Sequence, residues 1–445
     1  MLLAHGLVQR ADLPIPEWLF GWAAALVLIV SFVALAVLWP EPKLTGDRWR
    51  PLPGPLARVP GSRPVEIACG AIGVVLLVLV LVAGFAGTQS ALDNFAPSFV
   101  FIVFWVGLVF VSALFGNVFA SFSPWRALGR ASGWVLARAR EGRPLRHRPY
   151  PERLGRWPAV AGLLGFTWIE LASEWGEDPR MLGIAVLAYT LVTLAGQAVF
   201  GVDTWTRRGE AFAVYFDLFS RISPFERRDG VVGLRPPLAG LPRLDVVPGT
   251  VAIVLVMIGT VTFDGISQGQ FWTDLTGEAA IDYPRLVASI GLAAGIALVS
   301  AFYAVGVAGA RSVGGDLDAA RLRRAFVHSL VPIALVYVAA HYLTFLLFEG
   351  QSIAYLASDP LGEGWDLFGT ASATIDYGTL SQTQAWYLQV GFVVLGHVAA
   401  LILAHDRALS LYPGSRLAVR SQYWMLGVMV GFTTLALWLL AAAQG

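Results

Sequence analysis

Apolar residues along this chain fill long unbroken runs, separated by stretches rich in arginine, proline, glycine or acids. A run near twenty apolar residues, rising ~1.5 Å per residue as a helix, matches the ~30 Å hydrocarbon layer of a bilayer. Ten such runs are read at 18–39, 67–87, 99–122, 158–175, 181–201, 248–266, 286–310, 325–349, 384–404 and 423–443, of which the fourth and sixth are the shortest. The pattern predicts an all-α, polytopic integral membrane helix bundle with about ten transmembrane helices. It forms one transmembrane domain over 18–445, behind an outer N-terminal tail at 1–17.

Two connections carry structure of their own. In 210–222, Ala211, Val214, Tyr215, Leu218, Phe219 and Ile222 recur at helical spacing with Glu210, Asp217 and Arg221 opposite, which predicts an interfacial helix with its aromatic face toward the acyl chains. The stretch 350–383 has no basic residue but many turn formers and acids, and is read as an outer cap. Connection lengths run long, short, long, short in each half. Five spans per half is an odd number, so a duplicated unit would be a 5+5 inverted repeat, an architecture used by many secondary transporters.

Composition agrees with a membrane solvent: 56% of residues are hydrophobic and 14% charged. Basic residues then orient the chain, because cytoplasmic loops retain positive charge. The connections after the first, third, fifth, seventh and ninth runs hold 28 of the 31 lysines and arginines, leaving Arg10, Arg180 and Arg285 on the other side. Both termini are therefore expected outside, in a bacterial cell (inner) membrane. The outer side collects 16 acids against those 3 bases, a face able to attract cations or a basic protein partner. Arginines on the inner side suit anionic lipid headgroups, and the positive-inside rule accounts for them without a nucleic acid.

Residues that are absent exclude several chemistries. Lys43 is the single lysine, so no Walker A motif and no retinal-type Schiff base within a span can be formed. The lone Cys69 rules out an internal disulfide or a four-thiolate centre. Ionisable groups inside apolar runs are costly, and therefore point to function. Glu170, Asp264 and His341 lie toward the outer ends of the fourth, sixth and eighth runs and are the candidate substrate or cation site, suited to cation binding, proton relay or activation of water.

For metal, the candidates are His5, His341 and His397. A divalent metal or copper suits them better than haem, since His341 and His397 differ in depth by about 9 Å at ~1.5 Å per residue. His5 follows Met1 to Ala4, which looks like the end of a secretory signal; cleavage of a longer precursor there would make it an amino-terminal copper ligand. Gly265-Ile266-Ser267-Gln268-Gly269 matches Gly-x-Ser-x-Gly, but a nucleophile elbow needs a preceding strand, whereas this stretch follows a membrane helix.

Ala4-His5-Gly6, 11–16, Ser123-Pro124-Trp125-Arg126, Gly209-Glu210-Ala211-Phe212, Gly396-His397-Val398 and Ala404-His405-Asp406-Arg407 together resemble actinobacterial multipass membrane proteins named fenitrothion hydrolase. The resemblance spans nearly the whole chain and implies hydrolysis of an organophosphorothioate ester by an activated water, usually with metal ions. It brings no catalytic motif that can be carried over residue by residue. Three functions follow: handling of a small solute or cation at an outward-facing polar site, as in a transporter; metal-dependent ester hydrolysis in the membrane; or service as an accessory subunit of a respiratory or copper-handling assembly.

Overall fold

A computed structural model describes residues 17–139, 141, 146–314 and 317–442. His5 and the tail at 1–16 lie outside the described residues. In chain order the elements are α1 (Glu17–Leu38), β1 (Arg50–Pro51), α2 (Arg63–Ala86), α3 (Phe95–Phe115), α4 (Pro124–Ala139), α5 (Trp157–Leu171), α6 (Pro179–Phe200) and α7 (Ala211–Ser220). There follow β2 (Phe225–Arg228), β3 (Val231–Leu234), α8 (Thr250–Ser267), α9 (Pro284–Ser312), α10 (Ala319–His341), α11 (Gln382–Leu411) and α12 (Tyr423–Ala442).

Helix thus forms at all ten apolar runs. Among the described residues eight helices are long and apolar enough to cross a membrane: α1, α2, α3, α6, α8, α9, α10 and α11. Their outward faces are apolar and uncovered, with Leu26 62% and Val75 65% exposed, as expected of helices whose solvent is lipid. Helix α5 has 15 residues; it rises only about 22 Å, less than the hydrocarbon thickness of ~30 Å.

Close backbone approach sets the packing of α8 on α9. A Cβ on Gly259 would lie 2.5 Å from Ile296 Cα, and one on Gly295 would lie 2.9 Å from Gly259 O. Glycine is required at both positions, the small-residue device that membrane helices use to gain contact. Helix α1 packs mainly on α11 and α12, at the other end of the chain, while α10 packs on α11.

Two expectations are corrected. The segment after Glu210 is helical, but it does not lie with Phe212, Tyr215 and Phe219 toward acyl chains. Those three side chains are 5%, 1% and 0% exposed and pack against α3 and α5. The reason is in the composition: Ala211 to Phe219 is apolar around the helix except at Asp217, and a helix apolar on all sides belongs in a protein interior. Its free N-terminal amides are satisfied by Glu210, which accepts from Phe212 N (2.9 Å) and Ala213 N (2.8 Å) and from the Tyr189 hydroxyl.

The eighth run, read as continuous over 325–349, is interrupted. Helix α10 tightens to a 3-10 turn at Val327–Leu330 and ends at His341, and a separate short helix, Leu343–Leu347, follows. Gln389 of α11 donates to the carbonyl of Ala340 (2.8 Å), supplying a partner at this buried helix end.

Connections meet in two groups. β1 and β2 flank β3 in an antiparallel sheet whose Asp229-Gly230 turn takes positive φ at both residues, the form that suits a tight hairpin. Glu66 pairs with Arg130 (3.3 Å) and Arg227 (3.1 Å), and Asp406 accepts from the amide of Lys43 (2.5 Å), so the segments after α1, α3, α7 and α11 share one end of the bundle. At the other end Thr88 N donates to Leu361 O (2.8 Å) and Arg285 pairs with Glu174 (3.0 Å). The 350–383 segment sits there, with Leu356 packed among residues of α2, α3 and α6.

Candidate functional site

Three helices carry the ionisable residues singled out from sequence, and each presents its residue near its end. Glu170 is the penultimate residue of α5, Asp264 lies one turn before the end of α8, and His341 closes α10. Because α8 packs against both α5 and α10, these ends converge.

Asp264 is 1% exposed and forms the hub. His341 Nε2 lies 2.8 Å from Asp264 Oδ2, so this nitrogen carries its proton toward the carboxylate. The Tyr342 hydroxyl donates to the same oxygen at 2.7 Å, and Gln268 Nε2 approaches Oδ1 at 3.5 Å. The break after His341 makes this possible: Tyr342 leaves α-helical geometry at φ −99°, ψ 12°, and consecutive side chains then reach one carboxylate. In a continuous helix neighbouring side chains diverge by about 100°, as 3.6 residues per turn requires.

Glu170 lies within electrostatic range of Asp264 and Tyr215, and the Trp105 indole is turned toward its carboxyl. Its Oε2 is buried without a hydrogen-bond partner. Trp105 belongs to a π-helical stretch, Phe99–Gly107, and stacks on Tyr215 of α7 with centroids 4.5 Å apart and planes within 16°. Helices α3 and α7 therefore wall the site with an aromatic pair. π-helical turns widen a helix and re-aim its side chains, and occur often at functional sites.

Sequence reasoning singled out Glu170, Asp264 and His341, and the structure brings Asp264 and His341 into contact with Glu170 in range. Tyr342, Gln268, Trp105 and Tyr215 were missed. Tyr342 carried a usable signal, being a phenol beside an intramembrane histidine. Aromatic residues in apolar runs are otherwise too common to stand out.

Of the metal candidates, the two described residues, His341 and His397, each have their own partner. His397 is in the middle of α11, donating from Nδ1 to Val393 O (2.7 Å), and His341 is committed to Asp264. Among the described residues no three His, Cys, Asp or Glu side chains converge as a metal group. Ser267 ends α8 with its hydroxyl donating to Asp264 O (2.8 Å); helix precedes it where an elbow would need a strand.

In the 350–383 segment, Asp359 accepts from Glu363 N and Gly364 N, and Asp366 from Ser358 Oγ and Ala371 N. These acids organise turns. Backbone donors hold both carboxyls below their ordinary range, for Asp359 against a partial desolvation that acts the other way.

No protein-family model, curated protein or solved structure matches this chain.

Proposed function

We propose that this multipass membrane protein handles a small solute or cation at the Glu170–Asp264–His341 site, with a proton as the coupling or transported ion. One observation carries the reading: a buried Glu170 oxygen without a donor, beside a second carboxylate already bonded to an imidazole and a phenol. Two carboxylates in a weakly polar interior repel one another and lack hydration, so a proton or small cation at Glu170 offsets both costs. Short and interrupted helices around the site supply what alternating access needs, namely polar groups at helix ends within the bundle. A 5+5 inverted repeat would fit this use; the long contact of α8 on α9 and the docking of α1 on α11 and α12 are the features such a repeat has to accommodate.

The test is proton flux in proteoliposomes containing a lumenal pH dye, driven by a potassium diffusion potential. Wild-type protein should acidify or alkalinise the lumen with the sign of the potential, and Glu170→Gln and Asp264→Asn should each lower the rate at least tenfold. Equal flux in all three proteins would overturn the reading.

Hydrolysis, implied by the resemblance to fenitrothion hydrolase, uses the same residues differently. Asp264 orienting His341 is the arrangement of a general base acting on water, with Tyr342 as a third polar group. Release of the nitrophenol from fenitrothion by purified protein, lost in His341→Gln, would favour it. An accessory role in a respiratory or copper-handling assembly would rest on the acidic outer face, and would show as co-purification of a basic partner sensitive to salt.

A further inference from the structure

His397 is 0% exposed, and its two ring nitrogens differ in kind. Nδ1 lies 2.7 Å from the carbonyl of Val393, to which it must donate, so in the neutral ring Nε2 bears a lone pair and no proton. That Nε2 has no hydrogen-bond partner. His397 also lines a pocket of about 70 Å³ formed by α8, α9, α10, α11 and α12, whose walls include Phe302, Phe432, Met425 and Met429. The polar side chains Ser329 and Tyr303 reach it too, but their hydroxyls donate elsewhere, to Phe326 O (2.7 Å) and Arg323 O (2.6 Å).

An ordered water is a poor occupant, because it needs two to four polar partners and the walls are almost wholly apolar. The complementary ligand brings one hydrogen-bond donor and is otherwise apolar. Aromatic walls favour a ring: Phe302 meets Phe432 edge-on at 5.4 Å, and Phe432 stacks on Tyr337, whose ring is 6.1 Å from that of His397. The two methionines give the walls an adaptable, polarisable side. An apolar cavity of ~150 Å³ admits benzene whole; the smaller space here takes in the hydroxyl-bearing end of a ring and leaves a tail at the open rim.

We propose that this pocket binds a lipophilic phenol, its ring against Phe302 and Phe432 and its hydroxyl donating to His397 Nε2, which is enclosed at the pocket wall and becomes reachable as the neighbouring side chains yield to the ligand. The site is separate from the Asp264–His341 pair and does not depend on the transport reading. It is a place where a membrane-dissolved phenolic compound, including a reduced quinone, is recognised by one hydrogen bond and shape.

The test uses full-length protein in nanodiscs, with 4-heptylphenol and its methyl ether, 4-heptylanisole, as probes. Saturable binding of the phenol at one site is expected, with the ether at least tenfold weaker. In protein labelled with 15N-histidine, the Nε2 resonance of His397 should move upfield with the phenol and stay in place with the ether. His397→Leu should reduce phenol binding to the level of the ether, while His397→Gln, which keeps an acceptor, retains part of it. Equal affinity for phenol and ether, an unmoved Nε2 resonance, or a resonance shifted by silver(I) or copper(I) and not by phenol would each overturn the proposal, the last by making this a soft-metal site with the methionines. The resonance experiment needs no substitution, so it decides the matter even where His397→Leu fails to fold.

Discussion

His341 Nε2 and Asp264 Oδ2 lie 2.8 Å apart although 77 positions separate them in sequence, and Tyr342 donates to the same oxygen. Two donors on one buried acceptor make the three residues unequal. Removing the acceptor leaves two buried donors without a partner, whereas removing the tyrosine hydroxyl leaves the carboxylate still bonded to the histidine. Asp264→Leu should therefore destabilise the fold by about 2–3 kcal/mol and Tyr342→Phe by about 1 kcal/mol. Reversible denaturation in detergent measures both; equal losses would show that Asp264 is not the hub.

Helix α7 depends on an acidic cap in a dry place. Glu210 is 1% exposed and accepts two backbone amides as well as the Tyr189 hydroxyl. Glu210→Ala should cost about 2 kcal/mol, at the upper end for a lost N-cap, and Glu210→Gln less, since an amide oxygen still accepts. Local protection of the Phe212 and Ala213 amides in hydrogen exchange is the direct readout. Unchanged protection in Glu210→Ala would refute the capping role.

Ionisable residues inside apolar runs are conspicuous, which is why Glu170, Asp264 and His341 were legible, and helix at the ten runs followed from length and hydropathy alone. What was illegible has one physical source. Sequence hydropathy does not distinguish lipid from protein interior, so α7 read as a surface helix although its apolar circumference is enclosed by neighbours. Nor does it register the backbone: neither the π-helical stretch at Phe99–Gly107 nor the break at Tyr342 contains a proline that would announce it. Trp105, turned toward Glu170 from the first of those stretches, was hidden for the same reason.

Acidification should loosen the 350–383 segment at a lower pH than an ordinary aspartate would suggest. The amide of Ala371 and the Ser358 hydroxyl hold the Asp366 carboxyl below its usual value. A depressed native pKa contributes stability above the unfolded value, near 3.9 for aspartate, which is lost as pH falls through the lower native value. Carboxyl 13C resonances of Asp366 should accordingly titrate with a midpoint below the ~3.9 of a free aspartate, and Asp366→Asn should reduce the acid-dependent change in this segment. A midpoint at or above 4 would contradict the assignment.

Topology can be tested against two independent arguments. The 28 to 3 division of basic residues predicts that the connections after odd-numbered spans lie inside. Contacts place several of those connections together without reference to charge: β1 pairs with β3, Glu66 with Arg130 and Arg227, and Asp406 with the Lys43 amide. Segments that bond to one another must lie on one side of the membrane, so an error in reading any single span from the second to the ninth would separate partners that are joined here. Contacts cannot say which side is inside; charge can. Reporter fusions at 126–156 and after Gly445 should therefore report opposite sides, with the former cytoplasmic. A cytoplasmic signal from both would require the odd number of crossings between them to become even; because Arg130 and Arg227, on either side of the α5–α6 pair, both bond to Glu66, the helix that would then fail to cross is α12. Fusions on either side of α12 would then show whether it spans.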